Sequence, residues 1–393
     1  MNTFFISIKR ELRYLAAHPR YLLLLTLGLA FSYLFFVTLM GEGQPQRLPI
    51  AIVDHDGSYV SRRLSHEINA MPGVEVVEVF DNHQQARKAM QGQQIYAFFE
   101  IPKGFYSNIL AFKAPKLSLY SSNAYLLPGA LSYKSLATVG KLAAAAVQRE
   151  VLRKKGYTEK QVMGIIQPVE MDAHSISNPT ANYQPYVLTT VLPGILGVMV
   201  LLFTIYIVSN ERKHGTLREL ESVAGGNMFV ALAAKLLPYT LWFSVLGIVG
   251  NVVLFYYCHY TMLGSFVMLS LLTVLFVVVQ QSLAVFLVAL VPEQHMSICI
   301  GAIYGMLSFT MSGFSFPVTS MIPFLQGFSY IFPLRHYYLT YVDLALYGNR
   351  LDQYWIYIVA LFVFVIMGFV GAGKLHREAA ESEYEIVVES SSK

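Results

Sequence analysis

The sequence predicts a polytopic α-helical membrane protein of six transmembrane helices, with an α/β domain inserted between the first and second. Three observations carry this prediction. Of 393 residues, 55% are hydrophobic and only 13% charged. Six apolar segments approach or exceed the roughly 18 to 20 residues needed to cross a ~30 Å hydrocarbon core. The stretch from Gly41 to Pro185 holds 15 of the 28 Lys and Arg residues and 12 of the 24 acids. Charge is thus concentrated in one insert, and lipid-soluble sequence surrounds it.

The elements follow in order. In residues 1–20, Phe4, Ile8, Leu12 and Leu15 recur at helical spacing opposite Lys9, Arg10 and Arg13, the pattern of an amphipathic helix lying in the membrane interface, and Pro19 ends it. The first span, Tyr21–Met40, has no charged residue. It is too long for the 7 to 15 residue apolar core of a signal peptide and lacks a small-residue cleavage site, so it is expected to stay as an anchor. Further spans are expected at Tyr186–Ser209, Leu236–Cys258, Thr261–Val291, Ser297–Phe314 and Gln353–Gly373. Basic residues flank them at Lys9, Arg10, Arg13 and Arg20, at Arg212, Lys213, Arg218 and Lys235, and at Lys374 and Arg377. Positive flanks face the cytoplasm. Both termini and residues 374–393 are therefore expected inside, and the insert 41–185 and a re-entrant segment 315–352 outside.

Within the insert, strands are expected at Leu48–Val53, Val74–Phe80, Tyr96–Ile101 and Lys116–Tyr120, with helices near Tyr59–Ala70 and Asn82–Gln91. A long helix near Ala130–Lys155, a short helix, and a strand near Val169–Ile176 complete it. The alternation predicts a sheet covered by helices. His55 lies between Asp54 and Asp56, but a strand followed by a turn and a helix cap accounts for them. Cys258 and Cys299 form no disulfide framework or zinc spacing. The net charge of +4 is spread over loops and forms no basic face, so no nucleic-acid partner is expected.

Polar groups inside apolar spans point to a pathway, because each costs free energy in lipid unless it meets water or another polar group. Asn251, Gln280, Gln281, Ser308, Thr310 and Ser312 are these candidates, with helix-to-helix hydrogen bonding as the competing role. Few charges lie deep in the spans, which favours an amphiphilic or apolar substrate over an ion-coupled carrier. Gly368, Gly373 and Lys374 have the spacing of a nucleotide-binding loop, yet Leu375 offers no hydroxyl for magnesium and the glycines lie in a span. The chain is expected to have no ATPase site.

After the second span, Gly215 and Thr216 read as a break and N-cap for a short helix from Leu217, with Glu219 and Glu221 near its positive end. Glu211, Gly215, Thr216, Leu217 and Leu220 resemble the Glu-x-x-x-Gly-Thr-Leu-x-x-Leu loop of ABC-2 type transporter permeases. Asn178-Pro179, Asn182-Tyr183 and Leu192 to Gly194 resemble the family's approach to its second span. Gly313, Phe314 and Pro317 resemble a Gly-Phe-x-x-Pro segment, and Pro333 with His336 a segment leading to the last span. Lys213 and Arg218 stand where many members carry Glu, and Ala224 where Pro is common.

The resemblance covers the whole chain, including Pro193 and Gly194, and its implications are these. The chain is a permease subunit of an ATP-driven exporter in the bacterial cytoplasmic (inner) membrane. Its loop, within residues 210–230, docks on a separate ABC ATPase that holds ATP and magnesium. Two copies, or one copy and a close paralogue, enclose the pathway, and a periplasmic adaptor protein is a possible further partner. From another class, a membrane receptor or scaffold with a ligand-binding outer domain is the alternative. An ATPase gene beside this one would favour the exporter.

Overall fold

The computed structural model describes residues 2–391 apart from 112, 114, 170, 171, 173, 175–177 and 179–181. It divides into two compact units, Met1–Gly41 with Ser175–Lys393, and Glu42–His174. The expected strand near Val169–Ile176 and the Asn178-Pro179 pair fall largely outside the described residues.

Helix α1 (Asn2–Ala17) and helix α2 (Pro19–Leu39) are separated at His18. Pro19 occupies the first turn of α2, where its fixed φ suits a helix start and its missing N–H is no loss. The expected apolar stripe of α1 needs correction. Ser7, Glu11 and Leu15, four residues apart, are buried, whereas Leu12 is exposed. The helix presents a carboxylate to protein, and that requires a buried counter-charge.

The Glu42–His174 unit contains β1 (Leu48–Asp54), α3 (Tyr59–Asn69), β2 (Val74–Phe80), α4 (His83–Gln91), β3 (Ala97–Ile101), α5 (Phe105–Leu110), β4 (Ser118–Ser121), α6 (Leu126–Lys154) and α7 (Glu159–Ile166). The sheet order is β2-β1-β3-β4; β1 pairs in parallel with β2 and β3, and β4 is antiparallel to β3. Central β1 is apolar on both faces because both are covered. Ile50 and Ile52 pack with Leu64, Ile68 and Leu136, while Ala51 and Val53 pack with Ala86, Ala89 and Phe98. Ser58 and Asn82 cap α3 and α4 by accepting from Ser61 N and Gln85 N.

The remaining helices are α8 (Tyr183–Lys213), α9 (Leu217–Val223), α10 (Met228–Val252), α11 (Phe266–Leu290), α12 (Gln294–Met311), α13 (Pro323–Ser329), α14 (Pro333–Tyr341) and α15 (Leu351–Ser391). Single π turns extend α10 to Tyr257 and α14 to Leu346. Five stretches among the described residues are long and apolar enough to cross a membrane: Leu22–Leu39, Tyr183–Lys213, Met228–Tyr257, Phe266–Leu290 and Leu351–Ala380. The expected fifth span falls on α12, whose 18 residues begin with polar Gln294 and His295 and stop at Met311, before Gly313 at φ +90°. At about 1.5 Å per residue, α12 reaches only about 27 Å, close to the hydrocarbon thickness.

Helix α11 is central: 67% of its apolar window is buried, against 11% for α2. Helix α15 approaches it through glycines. A Cβ on Gly368 would lie 2.7 Å from Ser282 Cβ, and one on Gly371 2.8 Å from Phe286 Cα. Of the nucleotide-loop spacing, Gly368 is thus part of a close helix contact of the kind small residues permit in lipid, whereas Gly373 has no atom within 4 Å of an added Cβ.

Candidate functional site

A buried charge cluster gathers the ends of several helices around the loop after α8. Gly215, at φ +68°, breaks the chain between α8 and α9. Thr216 occupies the N-cap position of α9 but makes no side-chain cap there. Its hydroxyl instead donates to the Glu211 carboxylate and, at 3.2 Å, to the Glu211 carbonyl. Glu211 Oε1 accepts from Lys235 Nζ at 2.8 Å, and the same ammonium donates to Glu11 Oε2 at 3.0 Å. Tyr239 donates to the other Glu11 oxygen at 2.6 Å. One ammonium thus joins α1, α8 and α10.

Lys235 was expected among the basic residues flanking a span; it is instead 4% exposed inside α10, and Glu11 is 5% exposed. The correction has a physical reason, since a lysine survives burial when two carboxylates share it. Removing one member of such a buried pair typically costs about 3–5 kcal/mol, because the remaining charge is left without a counter-ion. Beside the cluster lies a cavity of ≈ 390 Å³, lined by Tyr14, Phe203, Tyr206, Asn210 and His214 as well as the charged side chains. Its wall combines apolar and charged side chains.

The rest of the loop is held from both sides. Leu217 and Leu220 are buried in the core that contains Ile205, Leu283 and Leu375. Arg10 reaches Glu219 at 3.4 Å, His376 of α15 meets Glu221, and Arg212 pairs with Glu378 at 2.6 Å. Arg212 also donates to the carbonyls of Val288 and Val291 at 2.8 and 3.2 Å, where the negative end of α11 favours a cation. A displacement of α9 would therefore be felt by α1, α8, α10 and α15 together.

The pathway candidates are dispersed. Asn251 donates to Thr273 at 2.9 Å, and Gln281 accepts from Thr240 at 2.6 Å, both joining α10 to α11. Gln280 is buried and its Oε1 has no hydrogen-bond donor among the described residues. Ser308 and Ser312 donate to carbonyls of their own helix, Tyr304 and Phe309, and Thr310 is exposed. Gly194, Gln280 and Ser308 meet Leu334 around a cavity of ≈ 10 Å³, room for one water at most. Pro193 lies inside α8, the Phe314 carbonyl accepts from Tyr186, and Pro317 and Pro333 start short helical turns.

In the Glu42–His174 unit, His55 has a neighbour that the sequence did not reveal. Glu100 receives His55 at 3.3 Å and His83 at 3.0 Å on its two oxygens. Among the described residues no group of three His, Cys, Asp or Glu side chains is arranged to hold a metal. Asp54 accepts from Asp56 N, Gly57 N and Ser61 Oγ, as a strand-end turn requires. For Asp56, burial is the largest influence and opposes ionisation. The Ser58 hydroxyl and the N–H groups of Tyr106, Phe105 and Gly104 outweigh it and hold the carboxyl below its ordinary range.

Long apolar helices, two short ones between the last of them, and a charge-locked loop define a polytopic membrane protein. Residues 20–374 match the family described as ABC-2 family transporter protein, and the chain belongs to that family. It is similar to two relatives named probable multidrug ABC transporter permease YbhR, from Escherichia coli strain K12 and Escherichia coli O157:H7. Each is 22% identical over 363 residues, covering 88% of this chain and 91% of the relative. Membership in this family implies an ABC ATPase partner.

Proposed function

We propose that the chain is the membrane subunit of an exporter that moves amphiphilic or apolar compounds outward and is driven by a separate ATPase. One observation carries the reading: Lys235 links Glu211, at the start of the family-like loop, to Glu11 on α1 and to the body of α10. A push on the loop then moves helices that line the bundle, which is what coupling to an external motor requires. The multidrug naming of the relatives supports an amphiphilic cargo.

In this reading the loop after α8 meets the ATPase, where ATP and magnesium are held; Gly215 breaks the chain there, while Glu211, Thr216, Leu217 and Leu220 anchor the loop to the bundle and carry its movement inward. Helix α12 supplies a sixth crossing, the Glu42–His174 unit lies outside the bacterial inner membrane, and both termini lie inside. A second copy, or a close paralogue, completes the pathway past Asn251, Gln280, Gln281, Ser308, Thr310 and Ser312, and a periplasmic adaptor could receive the cargo. The test is transport in inside-out vesicles carrying this chain and its ATPase. An amphiphilic fluorescent dye should accumulate with ATP and not with ADP; equal uptake with both would contradict an ATP-driven exporter.

A further inference from the structure

Arg335 is the residue that the functional reading leaves unexplained. It lies in the first turn of α14, is 9% exposed, and its Nε has no hydrogen-bond acceptor among the described residues. Its side chain makes no ion pair among those residues. The nearest acid along the chain, Asp343, is engaged with Asn349 at 2.8 Å. The contact found is with an aromatic face: Arg335 Cζ stands 4.8 Å from the Tyr330 ring centroid. A cation–π contact offsets only part of the loss of water around a guanidinium. The neighbouring His336 donates from Nε2 to the Tyr330 carbonyl, 2.9 Å away, while its Nδ1 is also buried with no partner among the described residues.

The position of α14 gives this cation a meaning. Leu334 and Gln280 line the same small cavity, and Gln280 is the fifteenth of the 25 residues of α11, so the N-terminus of α14 is level with the middle of a spanning helix. From there the chain climbs along α11: Tyr337 stacks on Phe276 at 4.2 Å, and the Ala345 carbonyl accepts from Leu263 N beyond the helix end. Helix α14 is therefore a nine-residue half-helix whose positive end stops near the membrane midplane, with an unpaired arginine in its first turn. Half-helix N-termini at that depth favour anionic groups, and an ionisable residue there is expected to have a counter-ion. Tyr330, whose ring Arg335 meets, and the next residue Ile331 are both exposed and supply an apolar surface.

We infer that Arg335 and the N-terminal turn of α14 bind the anionic head of an amphiphile, a carboxylate, phosphate or sulfonate whose tail lies along Tyr330 and Ile331. This goes beyond the coupling reading and does not depend on it, since binding can be measured without any ATPase. The same chemistry could come from an anionic membrane lipid or from transported cargo.

The chain in phosphatidylcholine nanodiscs would be titrated with 12-(dansylamino)dodecanoate and with its uncharged methyl ester. Wild type should prefer the carboxylate by about tenfold or more, as a charge-assisted bond implies. Arg335→Gln should erase the preference and Arg335→Lys should keep part of it. If added phosphatidylglycerol competes, the occupant is a lipid; if it does not, the occupant is a free amphiphile. Equal binding of acid and ester by wild type, or an undiminished preference in Arg335→Gln, would overturn the inference. Equal binding together with a weakened dimer in Arg335→Gln would instead assign the arginine to a contact between copies. Should Arg335→Gln fail to fold, the wild-type comparison with the ester and the Arg335→Lys affinity still decide.

Discussion

At the scale of single residues, Lys235 organises one end of the bundle. Its ammonium lies between Glu11 and Glu211, and all three groups are withdrawn from water to different degrees. Lys235→Met leaves two carboxylates facing each other without a cation, whereas Glu11→Gln leaves the Lys235–Glu211 pair intact. The first substitution should cost roughly 3–5 kcal/mol and the second clearly less. Thermal melting in detergent should therefore rank Lys235→Met below Glu11→Gln, with trypsin cutting at Arg10 and Arg13 more readily in the first. A reversed order would mean that the cluster is not held by this ammonium. The sequence contained the loop members Glu211 to Leu220 and hid the rest. Glu11 and Lys235 are 224 positions apart, and a lysine at the edge of an apolar run reads as an orientation signal. A clue was present in Glu11 itself, an acid within one turn of Ile8 and Leu15.

At the scale of elements, close packing of α15 on α11 depends on two positions without side chains. Gly368→Leu and Gly371→Leu should each force the helices apart and lower the yield of folded protein, while Gly373→Leu, with no atom within 4 Å of its added Cβ, should be tolerated. Fluorescence-detected size exclusion would check this, and equal profiles for all three would contradict the packing. Elements dictated by local chemistry were legible: β2 occupies Val74–Phe80 as expected, and the helices expected near Tyr59–Ala70 and Asn82–Gln91 form as α3 and α4, capped by Ser58 and Asn82. Where an apolar run and a local cap disagree, the run misplaced the boundary. Helix α10 begins at Met228 because Asn227 accepts from Phe229 N and Val230 N, well before the apolar run at Leu236. The Thr216 hydroxyl is taken from its cap by Glu211, a competition that spacing cannot reveal.

At the scale of the whole molecule, the proposed reading puts the Glu42–His174 unit outside the membrane and the loop after α8 inside. Single cysteines at exposed Ser107 and Ser222, in a background lacking Cys258 and Cys299, test this with an impermeant thiol reagent on intact cells. Ser107 should label and Ser222 should not; the reverse pattern would invert the topology and remove the export direction. The most direct test of the central claim is ATP hydrolysis by the ABC ATPase co-reconstituted with wild-type chain or with Glu211→Ala, Gly215→Pro or Lys235→Met. Each variant inserts the same spans but alters the loop or its tie to α10, so transport-stimulated hydrolysis should fall several-fold while basal hydrolysis by the ATPase alone stays unchanged. Stimulated rates equal to wild type in all three would contradict coupling through this loop.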